Sequence, residues 1–202
     1  MKKILLVSMM HNVTELVKKI EPDLAGKTVT YIPTAAIAEE IEGMADEESE
    51  MLGKLGLKVD ILEVSSATSE QIRNSFTKND MIFVGGGNTF FLLQELKRSG
   101  ADQILIQEVN KGKLYIGESA GAVAAAPDIG YSAEMDSPEK ASDLKDYTGL
   151  GLVDFYVVPH VGNPDMGEGA EKIMEKYGSE LELIAIDDDQ AILVEDGEIK
   201  IY

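Results

Sequence analysis

The sequence contains no cysteine and no tryptophan, and only two of its 202 residues are histidines, His11 and His160. The absence of cysteine excludes disulfides, cysteine-ligated zinc and a thiol nucleophile. Two histidines are too few for a histidine-rich metal site, and they restrict any histidine-dependent mechanism to two positions. We therefore expect neither a metal nor a cofactor.

Basic residues are also scarce, because 18 lysines and arginines oppose 37 acidic residues and give a formal charge of −19. A surface of this charge repels nucleic acid and anionic membranes, so we expect no nucleic-acid or membrane partner. No apolar run approaches the roughly 18 residues of a membrane span. The short apolar start, Lys3 to Met9, is interpreted as a first strand rather than a signal peptide. We expect a cytoplasmic protein.

Apolar, β-branched segments alternate with amphipathic segments along the chain. This alternation predicts a single α/β domain over residues 1–202, with a mainly parallel sheet and antiparallel C-terminal strands. The longest helix is predicted between Thr34 and Leu55. The polar stretch from Ile129 to Leu150 lacks periodicity and is interpreted as a loop-rich excursion or a short hairpin.

Four chemically distinctive stretches follow predicted strands. They are Ser8–His11, Gly85–Asn88, Gly117–Gly121 and Pro159–Asn163. Because ligands of open α/β sheets bind outside the carboxyl ends of the strands, we expect these stretches to meet at one site.

The most informative of these stretches is Gly117–Gly121, which has the pattern G-x-S-x-G. It lies between the apolar run Leu114–Ile116 and an alanine-rich segment, and this context predicts a strand, a sharp turn and a helix. That is the context of a nucleophile elbow, which makes Ser119 a candidate nucleophile. A serine that only caps the helix is the structural alternative.

A serine hydroxyl is a weak nucleophile and needs a base within hydrogen-bond reach. His160 is the better candidate because it follows a strand, whereas His11 precedes the first helix. A histidine base in turn needs a carboxylate to orient it. Spacing alone does not choose among the carboxylates between Ser119 and His160. They are Asp128, Glu134, Asp136, Glu139, Asp143 and Asp146.

Attack by Ser119 would create an oxyanion that backbone N–H groups can stabilise. The amide of Ala120 is one candidate donor, and the glycine run Gly85–Gly87 can supply a second. The same run precedes a predicted helix, so an anion-binding loop is an alternative interpretation. It lacks the spacing of the dinucleotide and P-loop motifs.

Three blocks of the sequence together resemble peptidase family S51, which includes peptidase E (α-aspartyl dipeptidase) and cyanophycinase. They are Val84–Phe90 with the pattern V-G-G-G-N-T-F, Tyr115–Ala122 with Y-I-G-E-S-A-G-A, and Val158–His160. The resemblance implies a flavodoxin-like, three-layer sandwich similar to the class I glutamine amidotransferases, with serine in place of their cysteine.

The resemblance also implies roles for particular residues. Ser119 corresponds to the family's nucleophile and His160 to its base. Met135–Pro138 is similar to the Asn-Asp-Met-Pro segment of peptidase E, so Asp136 is predicted as the third catalytic residue, with Glu134 as the fallback.

The remaining site residues follow from the same comparison of motifs. The family's oxyanion donors correspond to Gly87 and Ala120. The run Asp187–Ala191 resembles the family's late acidic motif and places Asp188 near the site. Asn88 and Glu118, which adjoin the glycine run and the serine, are expected to contact the substrate.

The sequence departs from peptidase E at two points. Glu118 stands where peptidase E has tryptophan, and Val161–Met166 is short and lacks the arginine linked to binding of the aspartyl carboxylate. An anionic side chain desolvated without a cation would be costly. Lys140 or Lys145 could replace the arginine, but we do not expect the aspartyl specificity to transfer.

The sequence therefore predicts a serine hydrolase that cuts a peptide or isopeptide bond in a small peptide substrate. An esterase with the same triad and a non-enzymatic, flavodoxin-like anion-binding module are the alternatives. Small α/β enzymes are often dimers, so a homodimer is one option.

Overall fold

A computed structural model describes residues 2–41 and 43–202. This part of the chain contains nine strands and seven α-helices, joined by short 3-10 turns. The strands are β1 (Lys3–Val7), β2 (Thr28–Ile32), β3 (Lys58–Ile61), β4 (Met81–Val84), β5 (Leu114–Glu118), β6 (Tyr156–Val158), β7 (Leu183–Ala185), β8 (Ala191–Glu195) and β9 (Glu198–Ile201). The helices are α1 (Thr14–Ile20), α2 (Met44–Lys54), α3 (Ser69–Lys78), α4 (Thr89–Ser99), α5 (Ala101–Asn110), α6 (Ala120–Ala124) and α7 (Gly167–Tyr177).

Seven strands form one sheet in the order β3-β2-β4-β5-β1-β8-β9. The five strands from β3 to β1 are parallel, whereas β8 pairs antiparallel with β1 and β9 antiparallel with β8. The mainly parallel sheet with an antiparallel C-terminal end that the sequence predicts is therefore confirmed.

Helices cover both faces of this sheet and make the fold a three-layer sandwich. In β1, Leu5 and Val7 pack with apolar residues of α1 and α2 on one face. Ile4 and Leu6 face the opposite side and pack with residues of α3, α4, α5 and α6. Because successive side chains of a strand point to opposite faces, an apolar strand such as β1 buries both of its faces.

The strands β6 and β7 form a separate two-stranded parallel sheet. Val157 of β6 and Ile186, which follows β7, pack into the same core as the main sheet. The small sheet therefore docks against the main one without extending it, and the carboxyl ends of both sheets contribute to the cavity described below.

The long helix predicted between Thr34 and Leu55 is confirmed only from Met44 to Lys54 and is wrong before Met44. Glu42, within the predicted range, lies outside the described residues. A 3-10 turn covers Thr34–Glu39 and the α-helix begins only at Met44. Glu40 and Gly43 both have left-handed backbone angles, with φ values of 55° and 81°, and such residues interrupt a right-handed helix. The excursion predicted between Ile129 and Leu150 contains two 3-10 turns and no α-helix or named strand.

Candidate active site

Ser119 lies at a sharp turn between β5 and α6, as the G-x-S-x-G pattern predicts. Its φ and ψ angles are 46° and −105°, a strained conformation for a residue with a side chain. Its N–H donates to the carbonyl of Val7 at 2.9 Å. A Cβ atom at Gly117 would lie 2.5 Å from the carbonyl oxygen of Gly121, and one at Gly121 would lie 2.3 Å from that of Val84. The turn therefore requires glycine on both sides of the serine.

His160 follows β6 and directs its ring at Ser119. Its Nε2 lies 2.9 Å from the Ser119 Oγ, and its side chain is only 2% exposed. Its backbone also has a positive φ of 65°. The His160 N–H donates to the Oγ of Ser8 at 3.1 Å, and Ser8 follows strand β1 of the main sheet. The small sheet thus supplies the histidine, and a side chain of the main sheet helps to hold it.

Asp188 occupies the other side of the His160 ring. Its Oδ1 lies 2.7 Å from His160 Nδ1, and its Oδ2 accepts a hydrogen bond of 2.6 Å from the Nδ2 of Asn163. The Asn163 Oδ1 in turn accepts from the N–H groups of Asp165 and Met166. The orientation of the Asn163 amide, and with it that of Asp188, is therefore fixed by the loop after His160.

The structure differs here from the prediction that Asp136 orients His160, because Asp188 occupies that position. Asp136 Oδ2 instead accepts from the N–H of Thr89 at 2.9 Å and from its Oγ1 at 2.5 Å. Thr89 is the first residue of α4, and N–H groups at a helix start lack partners within the helix and attract carboxylates. The fallback, Glu134, forms an ion pair with Lys176.

Asp136 nevertheless lines the same cavity as Ser119 and His160. Burial raises the pKa of the Asp136 carboxyl above its usual range, and the hydrogen bonds from Thr89 oppose that rise. Asp136 is thus a cavity-wall carboxyl whose position is set by α4.

The glycine run lies directly beside the serine. A Cβ atom at Gly86 would lie 3.4 Å from the Ser119 Cβ. Gly87 has a φ of 130°, and an added Cβ would lie 2.3 Å from the carbonyl group of Ala35, so only glycine fits there. Within the described residues, the N–H groups of Gly87 and Ala120 donate to no other group. These two backbone donors are thus available beside the cavity, and their role as oxyanion donors stays a prediction.

Asn88, which is predicted to contact the substrate, does not line the cavity. Its side chain is fully buried and is absent from the cavity wall. The Asn88 Oδ1 accepts from the N–H of Phe91 and so caps α4, while its Nδ2 donates to Glu39 and to the carbonyl of Ser137. Asn88 therefore joins three segments around the cavity.

The cavity beside Ser119 has a volume of about 560 Å³. Its wall combines apolar side chains with four carboxyl groups and one lysine. The apolar members are Met9, Ile41, Met44, Met135 and Met166, and the charged members are Glu39, Glu48, Glu118, Asp136 and Lys140. Lys140 pairs with Glu39 at 2.5 Å, so the cavity has an excess of acidic groups. Lys145, the other lysine considered from the sequence, does not line it.

Ser8 and Asn163, which hold His160 and Asp188 in place, carry no role predicted from the sequence. Both lie in stretches expected at the site because of their strand ends, but a serine and an asparagine in a loop give no further signal. The residues that they hold, His160 and Asp188, are distant in sequence from Ser8.

Two absences concern the part of the chain that the structure describes. Within residues 2–41 and 43–202, no three histidine or acidic side chains are grouped in a way that could hold a metal ion. Over the same residues, no helix has both the length and the apolar character needed to cross a bilayer.

The arrangement corresponds to a known class of enzyme. A hydroxyl on a strained turn, hydrogen-bonded to an imidazole whose other nitrogen meets a carboxylate, is the geometry that makes serine an acyl-transfer nucleophile. The fold and the site thus define a serine hydrolase.

Comparison with known proteins gives the family. The model of peptidase family S51 matches residues 4–202, and the chain belongs to that family. It is a serine peptidase.

Proteins similar to this chain are named as peptidases. The chain is 46% identical over 199 residues to the uncharacterized peptidase Lin0382 of Listeria innocua, covering 98% of this chain and 95% of that protein. It is 34% identical over 137 residues to peptidase E of Salmonella arizonae, covering 68% of this chain and 56% of that protein. A crystal structure of a proposed peptidase E from Listeria monocytogenes EGD-e superposes with a TM-score of 0.94 at 42% identity, covering 100% and 98% of the two chains.

Proposed function

We propose that this peptidase hydrolyses a peptide or isopeptide bond in a small substrate through a Ser119–His160–Asp188 triad. The observation that carries the proposal is the 2.9 Å contact between Ser119 Oγ and His160 Nε2. At that distance His160 can take the hydroxyl proton as the oxygen attacks the carbonyl carbon. Asp188 holds the ring in the tautomer with the proton on Nδ1 and stabilises the imidazolium that forms.

The remaining steps follow from the same groups. The negative charge that develops on the carbonyl oxygen would be bound by the N–H groups of Gly87 and Ala120, which have no other acceptor within the described residues. His160 then returns the proton to the leaving nitrogen, the C–N bond breaks, and an acyl ester remains on Ser119. Water, deprotonated by His160, hydrolyses that ester and restores the free serine.

The volume and the charge of the cavity restrict the size and the charge of the substrate. The cavity volume suits a small peptide, and no arginine lines the cavity. Four carboxyl groups against one paired lysine make it a poor site for an aspartyl side chain. We therefore propose that the aspartyl preference in the name of α-aspartyl dipeptidase does not apply to this chain.

The proposal is tested with Ser119→Ala and with Ser179→Ala as the matched control, since Ser179 is exposed and follows α7. A fluorophosphonate probe should label the wild type and Ser179→Ala, whereas Ser119→Ala should remain unlabelled. A dipeptide library screened with the same three proteins then gives the substrate. Cleavage of any peptide by Ser119→Ala at the wild-type rate would refute the proposal.

An esterase with the same triad is the remaining alternative from the sequence. Small esters are more reactive than amides, so ester cleavage alone does not distinguish the two. Turnover of at least one peptide bond with loss in Ser119→Ala supports the peptidase, and turnover of esters only supports the esterase.

A further inference from the structure

Two glutamate side chains meet at the cavity wall beside the nucleophile. Glu118 directly precedes Ser119, and Glu48 comes from α2 on the same wall. Glu118 Oε1 accepts a hydrogen bond of 2.7 Å from the N–H of Met10. Within the described residues, Glu118 Oε2, Glu48 Oε2 and the hydroxyl of Tyr31 have no hydrogen-bond partner of normal geometry. These three polar atoms lie close to one another, and the exposed His11 is a basic side chain near Glu48.

The environment of this group is unusually unfavourable for a carboxylate. Glu48 is 7% exposed and Tyr31 is fully buried. Burial raises the pKa of both glutamates above the ordinary value, and for Glu118 the neighbouring Glu48 raises it further. A buried polar group without a partner destabilises the fold, because it has lost its hydrogen bonds to water. Both glutamates nevertheless line the cavity beside Ser119, so a group that enters the cavity can contact their carboxyl groups.

We propose that Glu48 and Glu118 form a subsite that binds an ammonium group of the substrate. The inference rests on the proposed peptidase function, because it concerns the same cavity. An ammonium group has three N–H donors and a full positive charge, so it can donate to the carboxyl groups with which Glu48 and Glu118 line the cavity. Lys140, the lysine of the cavity wall, already pairs with Glu39. The apolar wall formed by methionines would contact the aliphatic part of the same substrate residue.

Two sources supply an ammonium group to such a subsite. One is the free amino terminus of the peptide, which lies two bonds from the carbonyl carbon under attack. The other is a lysine side chain in the residue before the cleaved bond. Two peptide pairs distinguish them. The first compares a peptide with a free amino terminus with its N-acetyl form, and the second compares N-acetyl-lysyl with N-acetyl-norleucyl peptides of the same leaving group.

A competing explanation assigns the pair a purely structural role. The two carboxyl groups would share one proton, form a permanent hydrogen bond and stabilise the wall without contacting the substrate. That explanation predicts no preference for a cationic peptide, and it predicts equal effects of Glu48→Gln on cationic and neutral members of a pair.

The test measures kcat/KM for both peptide pairs with wild type, Glu48→Gln, Glu118→Gln and Glu47→Gln. Glu47 is the matched control because it is the exposed neighbour of Glu48 on α2. We expect the wild type and Glu47→Gln to prefer the ammonium-bearing member of one pair by about 10- to 100-fold. Glu48→Gln and Glu118→Gln should reduce that preference to within about threefold of equality, mainly through KM.

Labelling of Ser119 by the fluorophosphonate probe separates this proposal from the proposed function. Wild type that is not labelled would refute the peptidase mechanism itself. Labelled wild type without a preference in either pair, or with a preference that survives both glutamate substitutions, would overturn the subsite alone.

A second measurement requires no variant and covers the case in which a substitution prevents folding. Butylammonium should inhibit hydrolysis of a neutral, acetylated peptide competitively by the wild type, whereas butanol at the same concentration should not. Equal inhibition by the two compounds would overturn the proposal.

Discussion

Substitution of Asp188 by asparagine should remove most of the activity without changing the shape of the site. In the wild type, the carboxylate accepts from His160 Nδ1 over 2.7 Å, which leaves Nε2 free to accept the proton of Ser119. An asparagine at position 188 has one oxygen and one NH₂ group. If its NH₂ group faces Nδ1, the ring carries its proton on Nε2 and can no longer act as a base.

In Asp188→Asn, the hydrogen bond from Asn163 determines the orientation of the new side-chain amide. The Asn163 NH₂ group already donates to Asp188 Oδ2 at 2.6 Å, and its own orientation is fixed by two backbone N–H groups. The single oxygen at position 188 is therefore held by Asn163, and the new NH₂ group is directed at the histidine. In Asp188→Asn combined with Asn163→Ala, the new amide can turn over, and part of the activity should return.

The magnitude follows from serine proteases with the same arrangement, where this change leaves the geometry intact and lowers kcat by about 10⁴-fold. Asp188 is 19% exposed, so water can replace part of its role, and we expect a loss of about 10³- to 10⁴-fold. This corresponds to about 4–5.5 kcal/mol of transition-state stabilisation. The assay is kcat on the peptide found by library screening, together with the rate of fluorophosphonate labelling.

Two further variants make the result decisive. Asp189→Asn changes the exposed neighbour and should keep kcat within about twofold of wild type. Asp136→Asn should reduce kcat far less than Asp188→Asn, because Asp136 bonds to Thr89 rather than to His160. A loss below tenfold in Asp188→Asn, with a loss above a thousandfold in Asp136→Asn, would refute the assignment.

Two other predictions concern stability. The raised pKa of Glu118 means that the folded state holds its proton more tightly than the unfolded state, so stability falls as pH rises above the ordinary value of 4.5. Glu118→Gln should therefore raise Tm, and the increase should be larger at pH 8 than at pH 5. An increase in Tm that does not depend on pH would contradict this prediction. Gly121→Ala should destabilise the fold by about 1–3 kcal/mol or more, because its Cβ would meet the Val84 carbonyl at 2.3 Å. Gly53→Ala, inside α2 with open space around the added Cβ, should stabilise the fold by about 0.5–1 kcal/mol. Equal denaturation midpoints for Gly121→Ala and Gly53→Ala would refute the argument.

The elbow could be predicted from the sequence because its determinants are local. An apolar strand, two glycines around a serine and an alanine-rich segment are all within a few residues of Ser119, and backbone sterics act at that range. Asn88 is also explained locally, since asparagine before a helix caps its first turn. The substrate contact predicted for Asn88 rests on its place in the family motif, whereas its side-chain amide caps α4 and bonds to Glu39 and Ser137.

The partner of His160 could not be chosen in the same way. Asp136 and Asp188 both lie in acidic loop segments, so the sequence does not distinguish them. Which of the two contacts His160 Nδ1 depends on which loop the fold places beside the ring. That requires the pairing of β6 with β7, two strands separated by α7. The late start of α2 at Met44 could not be predicted either, because no residue of that segment requires Glu40 to adopt a left-handed conformation.

The separate small sheet has a consequence for how the proposed triad is maintained. His160 and Asp188 both follow strands of the small sheet, whereas Ser119 follows β5 of the main sheet, so the proposed base and its carboxylate lie on one sheet and the proposed nucleophile on the other. The two halves are joined by the packing of Val157 and Ile186 and by the hydroxyl of Ser8. A slip of about 1 Å between the two sheets would break the proton path while leaving the Asp188–His160 pair intact. The 2.9 Å contact between Ser119 Oγ and His160 Nε2 therefore depends on how the two sheets dock, and not only on the stability of either sheet.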